Sequence, residues 1–182
     1  MEGNKSIVID NGTGYIKAGF SGVDEPKLVI PNCLGTPKSS DFSFNGKNDY
    51  FYGDETETIR DELILQYPIN RGLVCNWDNM EKMLEYILNK LSTNPEEYNI
   101  MLTDTVDNPK ANREKMTQLM FENFNMKGFY ITNPGKLALF SISQFTGMVI
   151  DSGEGITQFI PIFDGYDLPS YNTIEFWRKR SY

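Results

Sequence analysis

A short stretch near the start of the chain recurs near its end, and this repeat constrains the fold more than any bulk property. Val8-Ile9-Asp10-Asn11-Gly12-Thr13-Gly14 returns as Val149-Ile150-Asp151-Ser152-Gly153-Glu154-Gly155. In each copy an apolar, β-branched run ends in aspartate and a glycine-rich turn, and extended sequence resumes (Tyr15 to Phe20 after the first, Ile156 onward after the second), which predicts two hairpins with one turn chemistry. Glycines in such a turn permit positive φ and let backbone N–H groups approach a phosphate closely, and a strand-terminal aspartate suits a hydrated divalent cation. A single Asp-x-Gly-x-Gly is an ordinary hairpin turn; two copies that face each other would grip a triphosphate. Lys17, on the strand after the first turn, is placed to neutralise a β- or γ-phosphate, and Thr13 offers a hydroxyl within the turn.

Between the two copies, strand and helix alternate. Asn76 precedes a helical run carrying Met80, Met83, Leu84, Ile87 and Leu91, and is its expected N-cap. Ile100 to Thr103 reads as a buried strand. Asn108-Pro109 predicts a cap and a first-turn proline before a helix with Met116, Leu119, Met120 and Phe124 on one face. Phe129 to Ile131 is a further strand, and Asn133-Pro134 opens a helix to about Ser143. The order predicts an α/β domain around a mixed sheet. From Cys33 to Tyr67 the pattern weakens into turn residues and exposed aromatics (Phe42, Phe44, Tyr50, Phe51, Tyr52), which predicts a small inserted subdomain or loop whose aromatics either meet a partner or fill a satellite core. The spacing of Met80, Met83, Met116 and Met120 favours core packing over an adaptable binding surface.

Composition excludes several chemistries. The 182 residues contain no histidine, so histidine general bases, Ser-His-Asp and Cys-His systems and histidine-ligated metals are out of reach. With 17 Lys and Arg against 25 Asp and Glu the net charge is −8, which repels a nucleic-acid backbone. Cys33 and Cys75 are too few for a disulfide framework or a thiolate metal site and fit reduced thiols. The polar start, Met1 to Lys5, predicts neither a secretion signal nor a membrane span, hence a soluble intracellular protein.

A set of segments then resembles the actin family in order and spacing: Asp10-Asn11-Gly12-Thr13-Gly14, Lys17-Ala18-Gly19-Phe20, Tyr52-Gly53-Asp54-Glu55, Tyr67-Pro68-Ile69, Asn76-Trp77-Asp78, Asn108 to Met116, Met120-Phe121-Glu122 and Asp151 to Gly155. The resemblance runs from about Ile7 to Pro169, and the Asn108 to Met116 segment is unlike the sugar kinases and chaperone ATPases of the wider superfamily. It implies the actin-like (ribonuclease-H-like) ATPase fold, with residues 1–141 as the first half, a small subdomain at about 33–68 inside it, residues 142–169 as the start of the second half, and 170–182 as a divergent tail. It also implies ATP with Mg or Ca as cofactor, actin or actin-binding proteins as partners, and a cytoplasmic, cytoskeletal location.

The resemblance implies that Asp10 and Asp151 hold the hydrated cation. Asn11, Gly12, Thr13, Gly14 and Lys17 would form the first phosphate loop, and Asp151, Gly153, Gly155, Ile156 and Thr157 the second. Several positions depart from the family. Glu154 stands where it has aspartate, Pro134 where it has the water-orienting glutamine, and Gln158 where it has a histidine. Arg71 replaces the histidine that the family often methylates. Proline has no side-chain donor or acceptor to align water, so the expectation is weak or no hydrolysis and no catalytic residue. After Pro169 the resemblance ends in Ser170 to Tyr182 with a basic aromatic tail, Trp177-Arg178-Lys179-Arg180, and the family's later segments, including most of the adenosine pocket, have no counterpart. The second hairpin is therefore expected to expose apolar surface and strand edges. Two alternatives stay open: a filament-capping or interaction module that needs no nucleotide, and a degenerate shortened copy without function.

Overall fold

The computed structural model describes residues 6–39, 50–168 and 172–174. Strand β1 (Ser6–Asn11) turns back into β2 (Tyr15–Phe20), and β3 (Leu28–Pro31) adds to β2, all antiparallel. Next come β4 (Leu34–Pro37), β5 (Phe51–Tyr52), a one-turn helix α1 (Glu55–Thr58) and β6 (Leu63–Gln66), whose strands form a separate three-stranded sheet in the order β5-β4-β6. A tight hairpin of β7 (Ile69–Asn70) and β8 (Leu73–Val74) leads to helix α2 (Trp77–Leu91). The chain continues through β9 (Asn99–Thr103), α3 (Lys110–Gln118), β10 (Gly128–Thr132) and α4 (Pro134–Ser141). The described chain ends with β11 (Gly147–Ser152), β12 (Thr157–Phe163), β13 (Tyr166–Asp167) and β14 (Asn172–Ile174).

The central sheet runs β10-β9-β1-β2-β3, parallel across β10, β9 and β1 and antiparallel beyond, which is the mixed α/β architecture the alternation predicts. Its core joins Ile7, Ile9, Ile16, Ile100 and Leu102 to one face of α2, where Met80, Met83, Leu84, Ile87 and Leu91 lie at helical spacing and are fully or almost fully buried. Each such side chain contributes about 1.5–3 kcal/mol by leaving water. Asn76 caps α2 as expected, its side chain accepting from the Asn79 N–H at 3.0 Å. All four methionines noted in the sequence are core residues.

Three expectations need correction. Pro109, not Asn108, occupies the N-cap of α3, and Asn108 bonds sideways instead, its amide nitrogen donating to Asp104 and its Oδ1 accepting from Asn112 at 2.8 Å. The helix is regular only to Gln118; Leu119–Asn123 is a π-turn, so Leu119 and Met120 stay buried while Phe124 packs only partly against the core. The aromatics Tyr50 and Tyr52 are neither exposed nor in a satellite cluster: both lie against the main core, Tyr52 stacking on Tyr86 of α2 at 4.6 Å. Phe42, Phe44 and Trp177 to Arg180 lie outside the described residues.

The second hairpin, β11 with β12, carries β13 and β14 on the far side of β12 and packs on α4 around a small cluster of Leu139, Ile160 and Ile162. Its other face is open: Met148, Ile150 and Phe163 are each more than 60% exposed. Among the described residues no strand pairs with the outer edge of β11. No described helix is long and apolar enough to cross a membrane.

Candidate functional site

The repeated turns meet. Both β-hairpins point their loops into one cavity of about 540 Å³, lined by Asp10 to Gly14 and Lys17 from the first and by Asp151 to Ile156 and Gln158 from the second. The rest of the wall includes Gly72, Thr103, Asp104, Thr105 and Pro134. Of the residues singled out in the sequence for the two loops, only Thr157 stays off this wall: it is buried, and its hydroxyl shares a 2.9 Å hydrogen bond with that of Ser152 across the hairpin.

The loop glycines serve close approach and not unusual backbone angles. Positive φ occurs at Gly22, Gly53, Gly72 and Gly165 among the described glycines and at none of the four loop glycines, which corrects that part of the expectation. A Cβ on Gly14 would overlap the Glu154 carboxylate, and one on Gly155 would come within 2.6 Å of the Thr13 hydroxyl and 3.0 Å of the Arg71 backbone. The loops therefore face each other at a separation that side chains at these two positions would prevent. The β7–β8 turn closes a third side, where the Gly72 N–H donates to the Thr13 hydroxyl at 2.9 Å.

The first loop is held by residues from distant strands. Asn32 donates its amide nitrogen to the Gly12 carbonyl at 2.8 Å, and its backbone N–H donates to the Gly14 carbonyl at 2.8 Å. At the end of β9 the Thr103 hydroxyl does two jobs, donating to Asp10 Oδ1 at 2.7 Å and accepting from the Asn11 N–H at 2.9 Å. Lys17 completes the clamp on Asp10, donating from Nζ to Oδ2 at 3.3 Å. Sequence reasoning missed Asn32 and Thr103, since nothing local marks a residue whose partner lies 20 or 92 positions away.

The electrostatics favour a cation. Burial pushes the Asp151 carboxyl above the usual carboxylate range, the charge of Asp10 pushes it further the same way, and Lys17 only partly offsets them. A carboxyl that burial and a neighbouring negative charge push toward its neutral form fits a divalent ion, which would favour its ionised form. Among the described residues no group of three or more acidic, cysteine or histidine side chains gathers. Two carboxylates plus ligand phosphates and water match the way magnesium is usually held.

The hairpin registers continue the symmetry. Asp10 sits directly opposite Lys17, and Asp151 directly opposite Gln158, seven residues on in both cases. A further tie joins the two halves of the pocket from behind: Asn133, which caps α4, also donates to Asp167 at 2.7 Å, and Lys136 pairs with the same carboxylate at 3.1 Å.

In comparison with known proteins, a family model described as Actin matches residues 1–173 of the chain.

Proposed function

The chain belongs to the actin family, and on that premise we propose that it is a cytoskeletal protein of the cytoplasm that binds ATP with Mg or Ca between its two loops and hydrolyses it weakly or not at all. The observation that carries this reading is the convergence of Asp10, Lys17 and both glycine loops with Asp151 on one cavity. In this reading the backbone of Asn11 to Gly14 and of Gly153 to Ile156 wraps the phosphates, Lys17 neutralises them, and Asp10 and Asp151 hold the hydrated cation. A cation held there would supply charge neutralisation for the phosphates. Pro134 lines the pocket at the start of α4 and offers no polar side-chain atom to an attacking water, which is why we propose little turnover. We divide the chain into a first half, residues 1–141 with a small subdomain at about 33–68, the start of a second half at 142–169, and a tail from 170.

The test is a thermal unfolding scan of the chain with and without millimolar Mg-ATP. Ligand at about 100 times its dissociation constant adds about 2.7 kcal/mol to the folded state, and Asp10→Ala should remove the gain. An unchanged transition in the wild type would sink the nucleotide reading.

One observation favours a second reading, an interaction module that caps filaments without nucleotide. The apolar outer face of β11 and β12, with the outer β11 edge unpaired among the described residues, is the kind of surface that meets a partner such as actin or an actin-binding protein. A cooperative transition indifferent to ATP, together with co-sedimentation with filaments, would select it.

A further inference from the structure

The two turns interlock reciprocally. In each, the residue before the second glycine lays its side chain against the second glycine of the other turn. A Cβ on Gly155 would come within 2.6 Å of the Thr13 hydroxyl, and a Cβ on Gly14 would fall on the Glu154 carboxylate. Each of these glycines is a seat for a side chain from the opposite loop.

The two seated groups differ in charge and in how firmly they are held. Thr13 is short and neutral, and its hydroxyl accepts from the Gly72 N–H at 2.9 Å. Glu154 is exposed, at the tip of a turn closed by the Gly153 N–H donating to the Ile156 carbonyl at 3.0 Å. Its backbone is pinned, and its longer side chain is able to change rotamer. Packing of one turn on the other requires no charge, as Thr13 demonstrates. The second copy of the repeat nevertheless puts a carboxylate there.

The other charges around the cavity do not account for it. Lys17 pairs with Asp10 at 3.3 Å, and Asp104 pairs with Arg113 at 2.8 Å. Among the described residues no three acidic side chains gather, so the Glu154 carboxylate does not join Asp10 and Asp151 around a common cation. It lies instead on the first glycine turn, in the space that an anion must enter to reach the backbone of that turn.

We propose that Glu154 is an autoinhibitory strap: laid across Gly14, its carboxylate occupies the first loop in the ligand-free chain and must swing away before a polyphosphate binds there. This rests on the nucleotide reading above and adds regulation to it, because only molecules with the strap displaced are competent to bind.

Two measurements on the full chain test the strap and the contact separately. Calorimetric titration with Mg-ATP compares the wild type with Glu154→Ala. A strap displaced about one tenth of the time lowers apparent affinity about tenfold, so the alanine variant should bind about ten times more tightly. Glu154→Asp, which keeps the charge but withdraws it by one methylene, gives the same comparison if the alanine variant does not fold. Ligand-free thermal scans then compare Gly14→Ala, Glu154→Ala and the double variant. Gly14 does not have a positive φ, so alanine suits its backbone and only the collision with the carboxylate is added. Gly14→Ala should lower the melting temperature, and by less when residue 154 is already alanine. Equal or weaker Mg-ATP binding by the Glu154 variants, or strictly additive temperature changes, overturns this proposal alone. Binding by a Glu154 variant where the wild type shows none supports it in its strongest form. Absence of binding in wild type and variants alike overturns the parent reading and this one with it.

Discussion

The Thr103 hydroxyl anchors the first loop through two bonds, and a single substitution separates its oxygen from its shape. Thr103→Val keeps the shape and the strand preference of the residue and removes only that oxygen. Two bonds go with it. The Asn11 N–H loses the acceptor 2.9 Å away, and a backbone donor stranded in a part-buried position costs about 1–3 kcal/mol. Asp10 loses the donor at 2.7 Å, but its side chain is 40% exposed and water replaces much of that bond, so the second loss is under about 1 kcal/mol. The sum is about 1–4 kcal/mol, a large part of the roughly 5–15 kcal/mol of a typical domain. Thr103→Ser keeps the oxygen and gives up a methyl, at about 0.8 kcal/mol. In urea unfolding with a slope of about 2 kcal/mol per molar, the valine midpoint should fall by about 0.5–2 M and the serine midpoint by only about 0.4 M. If valine matches the wild type, or serine is as damaging as valine, the hydroxyl does not anchor the first loop.

Asp151 makes stability depend on pH in a definite direction. Its carboxyl is raised in the folded state, so the protein holds this proton to higher pH than the unfolded chain does. The associated stability is present below the ordinary carboxylate pKa of about 4 and is lost as pH rises through the raised value. Asp151→Asn should stabilise the ligand-free chain at neutral pH and flatten that part of the pH profile of Tm; a profile identical to wild type would refute the assignment. Amide exchange should be faster in β11 than in β1 and β9, because among the described residues β11 is an edge strand with alternate side chains in water, and Mg-ATP should slow both loops. Equal protection of the three strands would contradict an open, weakly backed second hairpin.

The fold was legible where local pattern and tertiary role coincide. Helix α2 was readable because its apolar spacing and its Asn76 cap are both contiguous in sequence, and the hairpins because strand, turn and strand adjoin along the chain. Both halves of the site were readable from the repeat. Other features depend on information that no window contains. Asn32 and Thr103 act on the first loop across long separations, and only the sheet order brings them there. The π-turn after Gln118 escaped because a one-residue expansion leaves the periodicity of Met116 and Met120 intact. Tyr50 and Tyr52 were misread as exposed because aromatics between turn residues give no sign of which neighbour they meet, and here it is α2. The turn glycines were read for backbone freedom, when the constraint at Gly14 and Gly155 comes from the opposite loop.

The two sides of the cradle are built to different standards of rigidity. The first loop rises from a central sheet strand flanked by β2 and β9 and backed by the main core, with Asn32, Thr103 and Gly72 each bonded to it. The second rises from a hairpin whose core is three buried residues and one of whose faces is open. What fixes the second loop relative to the first is correspondingly local: the Asp167 contacts with Asn133 and Lys136, and the close fit of Gly155 against Thr13. Such a hairpin opens at lower free energy than the sheet it faces. A ligand that touches both loops must close that gap, and any part of the time the hairpin spends apart lowers the apparent affinity by the same fraction. The open outer face of β11 and β12 then matters to the pocket even at a distance. On the proposed nucleotide reading, a partner that covers it should steady the hairpin and raise nucleotide affinity, and by reciprocity bound nucleotide should strengthen the hold of that partner.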